Sequence, residues 1–546
     1  MFCLSVSTNY FFKWEQTVSR ARTAFVGGSV WTAGYSAPRD LDVLVEGNRI
    51  LDVTRSGDLD TDGAELVDTR GRVLIPGFQD AHIHPPAAGA TLLSCDLTAA
   101  RTAEGFFAAV SKYAETLPPD AWVQGGGWDR DLFPMTGPTK EQLDAVTGGR
   151  PALLRSYDCH GACANSRAFE LAGIDRSTTD PAHGRIIRDG DGAPAGMLEE
   201  RAVALVADVC PPPSMEFLKK ALIAANQTLL SLGVTSVQDA IVGGGLSIPD
   251  QLPAYRELLS EGAWHGRVTA ALWWDADHGV DQVAQLLESR RLLEDSAGPD
   301  RILADTVKVM VDGNQTVFLD QEAVHAATHA AAAAGFSCHY HSYSDVATGW
   351  ILDAVEKTRQ EQGPSAHRHQ IAHLMVVAQG DFSRFAELDV TATLQAVWGG
   401  STVYHDMLQL GSCSHDPQLR EYAFGRLVAA GARLAAGSDW PVTTPDPLEA
   451  LRSEAGRGRD RQPTGSVGDP DELDRLDAVA LATAYTTGSA YVNGRAGYTG
   501  RVVPGFRADL TLLSQDIFAG EQELQGAVVD QTWVDGVREY QRDESN

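Results

Sequence analysis

Lysine is scarce in this chain: seven of 546 residues, with lysine and arginine together at 44 against 73 aspartates and glutamates. The resulting formal charge of −29 repels phosphate backbones and anionic lipid, which argues against nucleic-acid recognition or membrane adsorption as the primary function. Scarcity also makes any lysine inside an apolar strand conspicuous. Cysteine is as sparse, and Cys3, Cys95, Cys159, Cys163, Cys210, Cys338 and Cys413 are odd in number and scattered. A disulfide framework is therefore not expected, and a reducing cytoplasm is the expected compartment. Cys159 and Cys163 have loosely metal-like spacing but no second pair, so they read as ordinary thiols. The opening stretch MFCLSVSTNYFFKWEQ is too short and polar to span a bilayer and lacks the basic region and cleavage site of a secretory signal. Residues 1–22 are expected to form a weakly ordered extension.

What is present is a globular composition, 43% hydrophobic, in a chain long enough for one large domain and a smaller one. Short β-rich runs separated by Gly, Asp and Arg turns fill residues 23–75, and the tail from 491 returns to short strands with a D-G turn at Asp535 and Gly536. The two pieces are expected to share one small β-sandwich, residues 23–75 and 491–546. Between them, residues 76–490 alternate strand and helix. Apolar strands end at VLIPGFQDAHIH, VTSVQDA, RVTAALWWD, TVKVMVDG, FSCHYHSYSD, HRHQIAHL, VTATLQAVW and RLAAGSDWP. Eight such units predict an α/β fold, a closed (β/α)8 TIM barrel. Its largest insertion, about 86–232, reads as a polar, Gly-rich lid or pocket wall, and residues 454–477 read as a surface loop.

The chemistry gathers at the strand ends. His82 and His84 are two apart, so both side chains face the same way, and residues about 6 to 7 Å apart along a strand can converge on one divalent ion. Lys308, His341, His373 and Asp439 stand at the ends of the fourth, fifth, sixth and eighth strands, where a barrel collects its catalytic groups. His339 and His369 precede candidate ligands by two to four residues and are expected lower in the barrel or behind the ligands. His325 and His329, four apart on an alanine-rich helix, read as an ordinary helix face. Lys308 is the sharpest signal: burial lowers an amine's pKa, and a neutral amine reacts with carbon dioxide to give a carbamate that can bridge two metals. The plainer reading is a lysine paired with Asp312 or snorkelling at a strand end.

At these residues the sequence resembles the amidohydrolase superfamily, within it the amidohydrolase family 3 or YtcJ-like group that includes N-substituted formamide deformylase-like enzymes. GFQDAHIHP, VKVMVDG, HSYSD, HRHQIAHL and AAGSDWPV are similar to its motifs and carry over His82, His84, Lys308, His341, His373 and Asp439 as metal ligands, with Asp345 as the acid near His341. YDCHGACANSRAF resembles the group's D-G-H-x-x-x-x-N-S segment through Asp158, His160 and Asn165, and AGMLEE its G-x-L-x-E segment through Glu199. The resemblance implies one or two divalent ions, zinc foremost, with a carbamylated Lys308 as bridge. It further implies hydrolysis of a C–N bond in an N-acyl, N-formyl or cyclic amide by a metal-activated hydroxide, with Asp439 as proton shuttle. His160 and Asn165 would orient the carbonyl, and Trp128, Trp274, Trp398 and Trp440 are candidates for an aromatic wall. A deaminase and a non-catalytic metal-binding barrel are the alternatives. The expected partner is a small amide-like molecule, and a homo-oligomer is compatible with the sequence.

Overall fold

The computed structural model describes residues 21–543 apart from 135, 158–159, 183, 246–248, 314–316, 401–412, 415, 417–418 and 458–471. The readings that fell on residues 1–20, Asp158 and Cys159 lie outside the described residues.

Eight parallel strands form the barrel: β1 (Phe78–Ile83), β2 (Val234–Val242), β3 (Arg267–Trp273), β4 (Ile302–Met310), β5 (Ser337–Ser342), β6 (Gln370–His373), β7 (Thr391–Leu394) and β8 (Leu434–Ala436). They pair in chain order from β1 to β8. The ring is brought round by two backbone hydrogen bonds just beyond β8, Asp439 N to His82 O at 2.7 Å and His84 N to Trp440 O at 2.9 Å. Gly437 makes this approach possible, because a Cβ there would lie 2.6 Å from His82 N.

Nearly every strand residue is buried because helices cover the outside and side chains fill the inside. Alternation then sorts the two faces. On β5, Tyr340 points outward to the Thr328 hydroxyl of helix α1 (Gln321–Ala333), while His339 and His341 point inward. Below the histidines the interior is polar: Gln370 donates to Gln238 and accepts from Thr393 Oγ1 at 2.6 Å. Helix α1 packs beside its successor α2 (Asp345–Gln362), and their N-termini are capped by Asp320 and Ser344.

The stretch VLIPGFQDAHIH is two strands rather than one. Val73–Pro76 pairs antiparallel with Leu510–Leu513 in the small domain, and Gly77 hands the chain to β1. The small domain is a nine-strand mixed sheet drawn from both ends of the described chain, around a core that includes Phe25, Val43, Leu74, Leu512 and Trp533. Its main polar tie to the barrel is Arg267, fully buried at the start of β3. The guanidinium binds Asp509 through Nη1 and Asp535 through Nη2 at 2.6 Å, and Arg301 reaches Asp535 at 2.9 Å. Breaking a buried pair strands the remaining charge. Arg267→Ala is therefore expected to destabilise the fold by about 3–5 kcal/mol, read as a lower midpoint in urea unfolding.

The insertion, expected as a lid or pocket wall, is itself a folded unit. Strands Cys95–Asp96, Val123–Trp128, Ala152–Ser156, Gly161–Ala164, Gly184–Arg188 and Pro194–Glu200 make a six-strand sheet with its own apolar core. Its glycines serve close strand packing: a Cβ on Gly125 would meet Cys95 O at 2.1 Å, and one on Gly126 would meet Arg155 O at 2.6 Å. Of the expected surface loop, residues 458–471 lie outside the described residues; at its edge Arg457 is buried and donates to Tyr422 O at 2.7 Å and Asp474 O at 3.0 Å. No helix among the described residues is long and apolar enough to cross a membrane.

Candidate metal centre

His82, His84, His341, His373 and Asp439 meet at the C-terminal mouth of the barrel. Asp439 Oδ1 lies 3.4 Å from His82 Nε2 and 3.1 Å from His84 Nε2, and Oδ2 lies 3.9 Å from His373 Nδ1. Ligand atoms of His82, His373 and Asp439 all fall within 4.8 Å of one another. The His341 ring sits 4.3 Å from that of His373, centroid to centroid. His373 and Asp439 both adopt positive φ, 76° and 56°, where the chain turns sharply off its strand. Such backbone is costly for a non-glycine residue and is found where a side chain must be aimed at a site.

The electrostatics suit a cation. Burial drives the imidazoles of His82, His341 and His373 well below their usual range, so they are neutral and carry lone pairs. Burial pushes the Asp439 carboxyl up, but His84, His373 and Lys308 outweigh it and hold the group below the ordinary carboxylate value. Both ring nitrogens of His373, Nδ1 of His341 and Oδ1 of Asp439 are buried without a hydrogen bond. Buried polar atoms left so are expensive, and a divalent ion is the group that satisfies neutral imidazoles and a carboxylate together. The residues present therefore fit a metal.

Lys308 lies in β4 beside His339 of β5 in the ladder, 2% exposed. Burial lowers its amine to about 7, opposed only by the charge of Asp439. The pairing with Asp312 that the sequence left open does not form. Asp312 instead accepts from Tyr343 N and Ser344 N, each at 2.9 Å, and stands 3.5 Å from His341 Nδ1. It is thus Asp312, not Asp345, that backs His341; Asp345 accepts from Ser414 N.

Further support comes from residues that the sequence left in second place or missed. His339 Nε2 is 2.7 Å from His82 Nδ1 and fixes that ring from behind. His369 only props the sheet, its Nδ1 accepting from Cys338 N at 3.1 Å. Asp80 accepts from His82 N at 3.0 Å and from Ser438 N at 3.1 Å, tying the first strand to the last. Its sequence signal was a lone acid just past the apolar run VLIPGF.

The insertion contributes His160. Its Nδ1 is 3.0 Å from Glu200 Oε1, and its Nε2 is 3.4 Å from the Tyr343 hydroxyl, whose ring lies 4.3 Å from His341. The glutamate of the G-x-L-x-E spacing is therefore Glu200, counted from Gly196; Glu199 bonds Arg130 at 2.7 Å instead. A carboxylate on Nδ1 keeps the proton there and leaves Nε2 as acceptor. Glu200→Gln releases that tautomer, and turnover is expected to fall about 10- to 100-fold. A double-mutant cycle checks it: the pair His160→Ala and Glu200→Gln should be no slower than His160→Ala alone.

The aromatic candidates separate. Trp398 stacks on His373 at 4.9 Å with 4° between planes, and Tyr343 joins it at 6.2 Å, so these two wall the mouth. Trp440 follows Asp439 and ties to His84 through its backbone carbonyl, with its indole largely buried. Trp274 is buried in the main core. Trp128 is a correction: it packs on Phe106 and Phe133 inside the insertion, with Nε1 donating to Leu154 O at 3.0 Å. Asn165 is another, since it caps a helix through Ala168 N and donates to Thr147 and Arg150, which leaves its amide spent on structure.

The profile of the amidohydrolase family matches residues 65–540. The YtcJ protein of Bacillus subtilis (strain 168) is 28% identical over 492 residues, covering 88% of this chain and 91% of its own. The N-substituted formamide deformylase of Arthrobacter pascens is 26% identical over 533 residues, covering 92% and 95%. Among solved structures, an uncharacterized metal-dependent hydrolase from Pyrococcus horikoshii OT3 superposes with a TM-score of 0.70 at 21% identity, covering 93% of this chain and 99% of that one.

Proposed function

The chain belongs to the amidohydrolase family, and from that membership we propose that it hydrolyses the C–N bond of a small N-acyl, N-formyl or cyclic amide. The observation that carries this reading is the ionised, buried Asp439 set among the imidazoles of His82, His84, His341 and His373 at the barrel mouth. His82, His84, His373 and Asp439 would hold one divalent ion, with His341 and a modified Lys308 available for a second; zinc suits this nitrogen and oxygen set. When bound, such an ion lowers the pKa of water and polarises the scissile carbonyl.

The chain's own groups supply the rest. Asp439 takes a proton from the attacking water at a carboxylate oxygen and returns it to the leaving nitrogen, so that water adds across the C–N bond to give acid and amine. His160, with Nδ1 protonated against Glu200, offers Nε2 to the amide N–H, which holds the substrate by its nitrogen side rather than by its carbonyl. Tyr343 and Trp398 close the wall over His341 and His373 and restrict water there.

The test is a panel of N-formyl, N-acyl and cyclic amides assayed for carboxylate and amine release on protein dialysed against a chelator and then reloaded with zinc. Turnover lost on chelation and regained with zinc is the expected result. Ammonia released from heteroaromatic amines, with no amide cleaved, would overturn the proposal in favour of deamination.

A further inference from the structure

The outer face of the barrel carries a second cluster of ligand-type side chains. His325 and His329 are one turn apart on α1 and project toward α2, which presents Glu361. Glu361 Oε2 lies 3.3 Å from His325 Nε2 and 3.0 Å from His329 Nδ1. The two rings are 5.9 Å apart, and one ligand atom from each of the three residues falls within 4.8 Å of the other two. Both facing nitrogens are buried although their side chains are 21% and 43% exposed, and neither forms a hydrogen bond of acceptable geometry.

An ordinary ion pair accounts poorly for that arrangement. One carboxylate oxygen is shared by two ring nitrogens, and the contacts are misaligned for N–H donation. The spacing suits coordination better. Ligand atoms about 2.0–2.2 Å from one tetrahedral ion sit roughly 3.4 Å from each other, close to the two contacts seen. Two imidazoles and one carboxylate form a set for a first-row divalent ion, with water completing the shell.

We infer that His325, His329 and Glu361 bind a divalent transition-metal ion, zinc-like in its ligand preference, that clamps α1 to α2 on the outside of the barrel. Lys357 is the competing group, its Nζ 3.5 Å from His325 Nδ1. It approaches the nitrogen turned away from Glu361, so metal at Nε2 requires only that a surface amine swing aside from the protonated Nδ1. The ligands lie on two helices, so metal binding fastens the helix pair and stabilises the folded chain by linkage.

The full chain, dialysed against buffered micromolar zinc and counted by elemental analysis, should hold one ion more than His329→Ala and one more than Glu361→Gln. The double variant His82→Ala, His373→Ala, which disables the barrel mouth, should retain the outer ion. Zinc should also slow amide exchange along α1 and α2 in wild type and in that double variant, but not in His329→Ala. Equal zinc content in wild type, His329→Ala and Glu361→Gln would overturn the inference, as would exchange in the two helices that ignores zinc.

Discussion

Asp439→Asn is expected to lower turnover by at least roughly 100-fold while leaving the barrel folded. The amide keeps the volume of the side chain and cannot accept the proton that hydrolysis must move. The backbone at this position makes the comparison clean, because asparagine tolerates the positive φ of 56° and the hydrogen bond from residue 439 N to His82 O is unaffected. The substitution also weakens a ligand, so rates are to be compared at equal metal content. A folded, equally metallated variant that turns over near the wild-type rate would remove Asp439 from proton transfer and leave it as a ligand alone.

The barrel was legible because its strands end in chemistry. His82 and His84 show a two-residue spacing that faces both side chains one way, and Asp439 follows a short apolar run, so a barrel of these strands gathers them at one mouth. Residues whose role depends on register between distant segments were not legible in the same way. Asp80 and Asp312 are single acids with no motif spacing to a partner, and Glu200 stands beside a second glutamate, Glu199; each acquires its role only when another segment supplies a main-chain N–H or an imidazole. The internal sheet of the insertion was not legible for a related reason. Glycine is a turn signal along the chain, yet Gly125 and Gly126 are there to let neighbouring strands close up. Trp128 and Asn165 followed the same pattern, since an aromatic or an amide near a candidate site looks identical in sequence whether it faces substrate or caps a helix.

Loss of Lys308 is expected to be as damaging as loss of Asp439, through metal content rather than proton transfer. Among the described residues no salt bridge reaches Lys308, and with its amine lowered to about 7 a large share is neutral near pH 7. A neutral amine adds to carbon dioxide: an N–C bond forms, one proton leaves, and the product is a carbamate whose single negative charge is shared by two oxygens. That product changes the group from a cation facing four histidines to a ligand that can bridge two ions. Its neighbour in the ladder, His339, is engaged with His82 through Nε2. Crystals grown with bicarbonate should show planar density beyond Nζ. Lys308→Ala should bind fewer ions at the mouth and turn over at least about 100-fold more slowly, and formate or acetate small enough for the vacated space should restore part of both. Unmodified Lys308 beside a fully occupied mouth would reject the carbamate and leave a single ion on His82, His84, His373 and Asp439.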